Sequence, residues 1–144
     1  MADIPIYEIS RAPVAARLTA ALIDGVVVAM LASWETLGFW AGLLFLLSRD
    51  AYFQGRSPGK RLLGLRTVCR QGEGRSAGIR ESTVRNLPLA AAYAASTVPL
   101  IGWLVGILLC GVEAVLVAGS PEGTRLGDEL AETRVVEDKV NGSE

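Results

Sequence analysis

Two acidic side chains stand in stretches that are otherwise apolar. Asp24 lies in a run from about Leu18 to Trp34, and Glu113 in one from Ile101 to Gly119. A carboxylate at the centre of a membrane helix costs roughly 2.5–3.5 kcal/mol on insertion scales, and it faces a bundle interior or a wet cavity. Two such groups at matching depth could share a site and exchange H⁺ for a monovalent cation near neutral pH. Arg17 precedes Asp24 by seven residues. That spacing leaves the two within about 20° of one helix face and ~10.5 Å apart along the axis. Glu113 follows Gly106 by seven residues and Gly102 by eleven, so it shares the face on which those small residues permit close helix approach. Asp24, Glu113 and Arg17 are therefore the candidate ion or proton site. The alternative is structural: the acids pair with Arg17, Arg85 or Lys60 and only fix the bundle.

Other chemistry is sparse. The chain has no histidine, which removes His general catalysis, His metal ligation and Ser-His-Asp triads together. Cys69 and Cys110 sit in a loop and in an apolar run, a pattern of neither a disulfide framework nor a zinc site. Gly55-Arg-Ser-Pro-Gly59-Lys60-Arg61 invites a phosphate-loop reading. It fails, because the spacing is one residue short and Arg61 stands where Ser or Thr would hold Mg²⁺. The better reading is a turn followed by an interfacial segment, Lys60 to Leu65, whose cations meet lipid phosphates. No metal, no cofactor and no enzymatic activity is expected.

The elements that must position these residues follow from composition. Of 144 residues 51% are hydrophobic and 20% charged, and mean hydropathy is +0.38. The apolar residues fall in stretches of membrane-spanning length, which predicts an all-α integral membrane protein in one domain. Residues 1–16 form a polar lead, and a poor signal peptide, because Asp3 and Glu8 offset its arginines and no small-x-small site follows. Segments over about 18–34 and 36–53 make a first hairpin. A single helix over 87–118 would be ~48 Å long, well beyond a ~30 Å hydrocarbon core. Pro99 supplies a break, giving segments over about 83–97 and 101–119 as a second hairpin. Trp34, Trp40 and Trp103 then share the outer interface.

Charge is segregated. From Arg49 to Arg85 nine basic residues face Asp50, Glu73 and Glu81, whereas from Ser120 onward seven acids face Arg125, Arg134 and Lys139. Without interleaved aromatics the basic block is not a nucleic-acid surface. It reads as a cytoplasmic loop over 54–82 that meets anionic headgroups, with both termini cytoplasmic. The loop stretch Leu65-Arg66-Thr67-Val68 and the tail stretch Thr133-Arg134-Val135-Val136 could pair as short strands beneath a compact bundle of four membrane-inserted segments. Residues 137–144 are expected to be a disordered tail.

The ordered set of motifs resembles the RDD family of small bacterial membrane proteins, named for one arginine and two aspartates. The residues that carry the likeness are Arg17-Leu-Thr-Ala-Ala-Leu-Ile-Asp24, Gly55-Arg-Ser-Pro-Gly59-Lys60-Arg61 continuing to Val68, Arg85-Asn86-Leu-Pro88, and a tail motif over 122–136. That last motif contains Arg125, Gly127, Asp128 and Thr133. The likeness runs from Ala15 to Val136, and an RDD-like domain over 17–136 follows from it. Carried over, the name-giving residues are Arg17, Asp24 and Asp128, with Asp50 the alternative second aspartate. Pro58 and Glu132 depart from the family pattern. The family implies a multi-pass cell-membrane protein, with transport suggested and cation/proton antiport attributed to some members.

Two functions are expected. One is a small oligomeric transporter exchanging monovalent cations for protons through Asp24 and Glu113, with Arg17 tuning the site. Four short segments are few for a transporter, so a homo-oligomer would be required. The other is a non-catalytic membrane scaffold or accessory subunit whose buried charges are structural.

Overall fold

The computed structural model describes residues 11–71, 74–120 and 123–137. The first ten residues of the lead, the start of the tail motif and residues 138–144 of the expected disordered tail lie outside the described residues, whereas Glu137, expected to open that tail, closes a strand. The chain is mostly helical: α1 Val14–Ala32, α2 Glu35–Ser48, α3 Pro58–Leu62, α4 Ile79–Ala95, α5 Ile101–Gly119 and α6 Leu126–Leu130, with strands β1 Leu65–Cys69 and β2 Thr133–Glu137.

Packing runs α1 on α2, α2 on α4 and α4 on α5, so two helical hairpins stand side by side. In the first hairpin Gly38 makes the tight return possible, since a Cβ there would strike the carbonyls of Leu31 and Ala32. In the second the chain breaks at Leu100, whose φ of 64° lies in the left-handed region, immediately after Pro99. Gly102 then fits against the Ala95 carbonyl with no room for a side chain. The break at Pro99 is thus a reversal of direction between two packed helices.

Residues 36–53 do not form one helix. α2 stops at Ser48, and at 14 residues it is about 21 Å long. Beyond Arg49 a 3₁₀ turn, Tyr52–Gln54, leads into Phe53, Gln54 and Gly55 at φ of 48°, 59° and 86°. Three left-handed residues in succession turn the chain back beneath the bundle. Gly55 is required there, because a Cβ would strike the Thr67 carbonyl. Arg49 and Asp50 end α2 for a reason that apolar counting overlooks: both side chains are claimed by partners on other elements. α4 also begins earlier than residue 83, at Ile79, because the Glu81 carboxylate reaches back to accept from the Gly78 amide at 2.9 Å.

β1 and β2 pair antiparallel, with Leu65 opposite Glu137, Thr67 opposite Val135 and Cys69 opposite Thr133. The expected loop-to-tail pairing is present. Ala12, Ala20, Leu65 and Val135 form a small apolar core where this sheet meets the start of α1.

α1 and α5 are the two helices long and apolar enough to cross a membrane. Only 17% and 12% of their apolar windows are buried, whereas a core helix of a soluble protein is buried for most of its length. Leu18, Leu22, Val26 and Met30 repeat every fourth residue on α1 and all face outward. The interior is the reverse: Asp24, Asp50, Ser57, Lys60, Thr67, Ser82, Arg85, Asn86 and Asp128 are buried. An apolar exterior around a charged interior suggests a membrane protein. Trp34 and Trp103 stand exposed at the end of the bundle remote from those charges, and Trp40 one turn further in.

Candidate functional site

The charged interior is one connected cluster. It is built where the start of α1, the end of α2, the start of α4 and the end of α5 meet the cap formed by α3, α6 and the sheet. Asp24 is held from below by α3. Ser57 donates its hydroxyl to Asp24 Oδ2 at 2.6 Å, and the Gly59 amide donates to Oδ1 at 2.8 Å. The local sequence explains this geometry. Ser57 is the N-cap of α3, its oxygen also accepting from the Lys60 amide, and Pro58 opens the first turn where its missing N–H costs nothing. Gly59 lies so close to the Ala20 carbonyl of α1 that no side chain fits. The Arg49 guanidinium completes the site 3.4 Å from Asp24 Oδ2.

Asp50 is the second node. It takes the Lys60 ammonium on Oδ1, the Asn86 amide on Oδ2 at 3.0 Å and Arg85 Nε at 3.4 Å. Its own amide donates to Ser82 Oγ, and that hydroxyl donates onward to the Leu47 carbonyl, which caps the end of α2. Thr67 Oγ1 accepts from Lys60 Nζ at 2.8 Å and from Arg85 Nη1 at 2.9 Å, so the sheet enters the cluster through one hydroxyl. Asp128 is the third node. Arg17 Nη2 lies 2.7 Å from Oδ2, Arg85 Nε lies 3.0 Å from Oδ1, and the Arg125 amide donates to Oδ2 at 3.2 Å. Gly127 lets α6 rest directly on the Arg85 carbonyl, where a Cβ has no space.

The electrostatics follow from an excess of cations. Arg17, Arg49, Lys60, Arg85 and Arg125 face Asp24, Asp50, Asp128 and Glu113. Burial alone would raise the Asp50 carboxyl, but Lys60, Arg85 and Arg49 together hold it well below its usual range. Asp128 is lowered in the same way, with Arg85, Arg125 and Arg17 overcoming its burial. Lys60 bears the imbalance. Burial and the neighbouring Arg85 outweigh the attraction of Asp50 and bring its ammonium down to about 7.

The expected site residues are placed apart. Asp24 is engaged by Ser57, Gly59 and Arg49, whereas Glu113 meets Arg125 Nε at 3.8 Å. No hydrogen bond or ion pair joins the two acids among the described residues. Arg17 shares a helix face with Asp24 but reaches down to Asp128 instead. Of the three cations expected as structural partners of the acids, none pairs with Asp24. Its partner is Arg49, the first basic residue after the second apolar run. Lys60 is buried on Asp50, so the expectation that it meets lipid phosphates is corrected. Arg61 is the exposed member of that pair, lying over the Phe53 ring at 4.7 Å.

Of the motif residues, Arg17, Asp24, Lys60, Arg85, Asn86 and Asp128 join the cluster directly, while Gly55, Gly59 and Gly127 permit the close approaches around it. Thr133 is buried in β2. Sequence reasoning did not single out Arg49, Ser57, Thr67 or Ser82 as site residues, and it named Arg125 only within the tail motif. Ser57 carried a signal, a Ser-Pro N-cap pair; Thr67 lay within the family motif and the expected strand with nothing to mark its hydroxyl, and Ser82 carried no signal. Among the described residues no group of three or more His, Cys, Asp or Glu is arranged to hold a metal ion.

A family model, that of the RDD family, matches residues 30–132. The matched stretch holds Arg49, Asp50, Lys60, Arg85, Asn86 and Asp128 and begins after Arg17 and Asp24. Neither a curated protein nor a solved structure matches the chain. The matched stretch covers most of the chain, which belongs to the RDD family.

Proposed function

We propose that the chain is a multi-pass cell-membrane protein without enzymatic activity, acting as a scaffold or accessory subunit whose buried charges lock a cytoplasmic cap onto four membrane-inserted segments. The carrying observation is the engagement of Asp24. Each of its oxygens already has a protein partner, Ser57 and Arg49 on one and the Gly59 amide on the other, an arrangement that fixes α3 to α1 and sets a guanidinium beside the carboxylate where an exchanged cation would have to sit. Both termini face the cytoplasm in this reading, consistent with the isolated bridge that joins Arg11, just before α1, to Val136 of β2. The exposed arginines Arg61, Arg70, Arg75 and Arg80 meet anionic headgroups. The protein works as a homo-oligomer, and α5 leaves open space over Gly106 and Gly111 for a neighbouring helix.

A second reading, cation/proton exchange, draws support from Glu113. Its Oε2 is buried without a hydrogen-bond partner, and Lys60 titrates near neutral pH. Asp24→Asn separates the two. The scaffold reading expects its abundance in the membrane to fall severalfold, and no cation-dependent proton flux from wild type in proteoliposomes. Flux in wild type that disappears in an equally abundant Asp24→Asn would establish the exchanger. A reporter fused after Glu144 checks the orientation, with a cytoplasmic signal expected.

A further inference from the structure

Beside the cluster, between α1 and α5, is a cavity of about 60 Å³. Its wall on the cluster side carries Arg17, Arg49, Lys60, Arg85 and Arg125, with Asp24 the one acid. Its other wall is apolar, made by Val14, Leu18 and Ala21 of α1 and Val117 of α5. Leu18 and Ala21 are themselves exposed on the outside of the bundle. The cavity therefore lies where a charged interior reaches the apolar exterior.

Three observations give it an occupant. First, five cations and one acid line it, and even with Asp50, Asp128 and Glu113 counted beside those cations the cluster keeps a small excess of positive charge, which favours an anion over a metal ion. Second, Arg49 is buried and its Nε has no hydrogen-bond partner, an unused donor on a residue of the wall. Third, α1 and α5 pack on other helices rather than on each other, which leaves the space between them open at the level of the cluster. The volume admits one compact oxyanion or a few waters. Arginine is the side chain best matched to phosphate oxygens.

We infer that this cavity binds the phosphate group of an anionic phospholipid, with the acyl chains lying along the outward faces of α1 and α5. The site is distinct from the exposed basic surface. Its arginines are held in place by Asp24, Asp50 and Asp128, so the donors are positioned before a ligand arrives. It rests on the membrane placement proposed above, and a free phosphate ion would offer the same chemistry without the chains.

The test uses the full chain purified in mild detergent, with native mass spectrometry reading retained lipid. Phosphatidylglycerol, phosphatidylcholine and inorganic phosphate are offered in parallel. Val117→Trp fills the cavity while leaving every charge in place, and Arg49→Gln removes the unused donor. The expected result is retention of one phosphatidylglycerol per chain by wild type, in preference to phosphatidylcholine. Val117→Trp lowers that retention at least tenfold. Arg49→Gln does so too if it folds; should it not, the tryptophan variant decides alone. Retention unchanged in Val117→Trp overturns the site. Inorganic phosphate that displaces the lipid at equal concentration overturns the lipid as its source. Carbonate extraction of each variant from membranes reports insertion separately, so failure of the membrane reading is distinguishable from failure of the site.

Discussion

Lys60 sets its ammonium on the carboxylate of Asp50, ten residues earlier, with both side chains buried. The pair also lies among Arg49 and Arg85, so the lysine is the cation held least firmly to its proton, at about 7. Between that value and the ordinary lysine value of 10.5, the unfolded chain holds a proton at this position that the folded chain has released. Stability therefore rises with pH across that window, while below about pH 7 both states are protonated and the cost of burying the charge is complete. Asp50 and Asp128 act in the opposite range. Their contribution is whole above 3.8 and is lost as pH falls through their depressed folded values. Thermal unfolding in nanodiscs should show a midpoint climbing between about pH 7 and about pH 10 in wild type and flat in Lys60→Met. Identical profiles would mean that Lys60 keeps its proton throughout.

Thr67 serves two cations with one hydroxyl. Thr67→Val keeps the shape and removes the acceptor shared by Lys60 and Arg85, a loss of about 1–3 kcal/mol for donors stranded in a buried site. Thr67→Ser should keep most of that stability. Equal midpoints for the valine and wild-type proteins in chemical unfolding would show that the two cations find other acceptors.

The glycines divide by what surrounds them. Gly127→Ala and Gly59→Ala each drive a methyl into a backbone carbonyl, of Arg85 and Ala20 respectively. Gly127→Ala should lift α6 and draw Asp128 away from Arg85 and Arg17. Gly106 has nothing within 4 Å, so Gly106→Ala should be neutral to stabilising within the monomer, by up to roughly 1 kcal/mol of helix propensity. Membrane abundance of the three variants checks the order. If Gly106→Ala disrupts assembly while sparing the monomer fold, α5 carries the contact between copies.

Asp128→Ala leaves Arg17 and Arg85 buried without that carboxylate. Breaking a buried pair in this way costs about 3–5 kcal/mol. Limited proteolysis should then cleave the tail beyond Gly123 in Asp128→Ala while sparing wild type. Unchanged protection would mean that the sheet alone holds the tail.

Much of this architecture is written in local pattern. α5 coincides with the apolar run from Ile101 to Gly119, because length and hydropathy suffice for a helix that meets few polar partners. β1 and β2 announce themselves by β-branched residues between turns. The end of α2 is not legible in this way. Arg49 and Asp50 look like the last turn of a membrane segment over 36–53 until Asp24, Lys60 and Asn86 are seen around them, and those partners come from three other elements. The same reason hid the true neighbours of Asp24 and Glu113. Matching depth on two helices brings acids to one level of the bundle, but which cation claims each depends on loops that reach the cluster from outside. Family motifs came nearest, since they marked Lys60, Arg85, Asn86 and Asp128 without saying what each would touch.

The cluster draws Asp128 from α6 into contact with Arg17 of α1, across nearly the whole described chain. During synthesis α1 leaves the ribosome long before α6 does. For that interval Arg17 and Arg85 lack the carboxylate that both will share, and Thr67 lacks the β2 strand that will lie opposite it. A late element thus completes the first. A chain interrupted before Asp128 would leave Arg17 without its carboxylate partner and Arg85 with Asp50 alone.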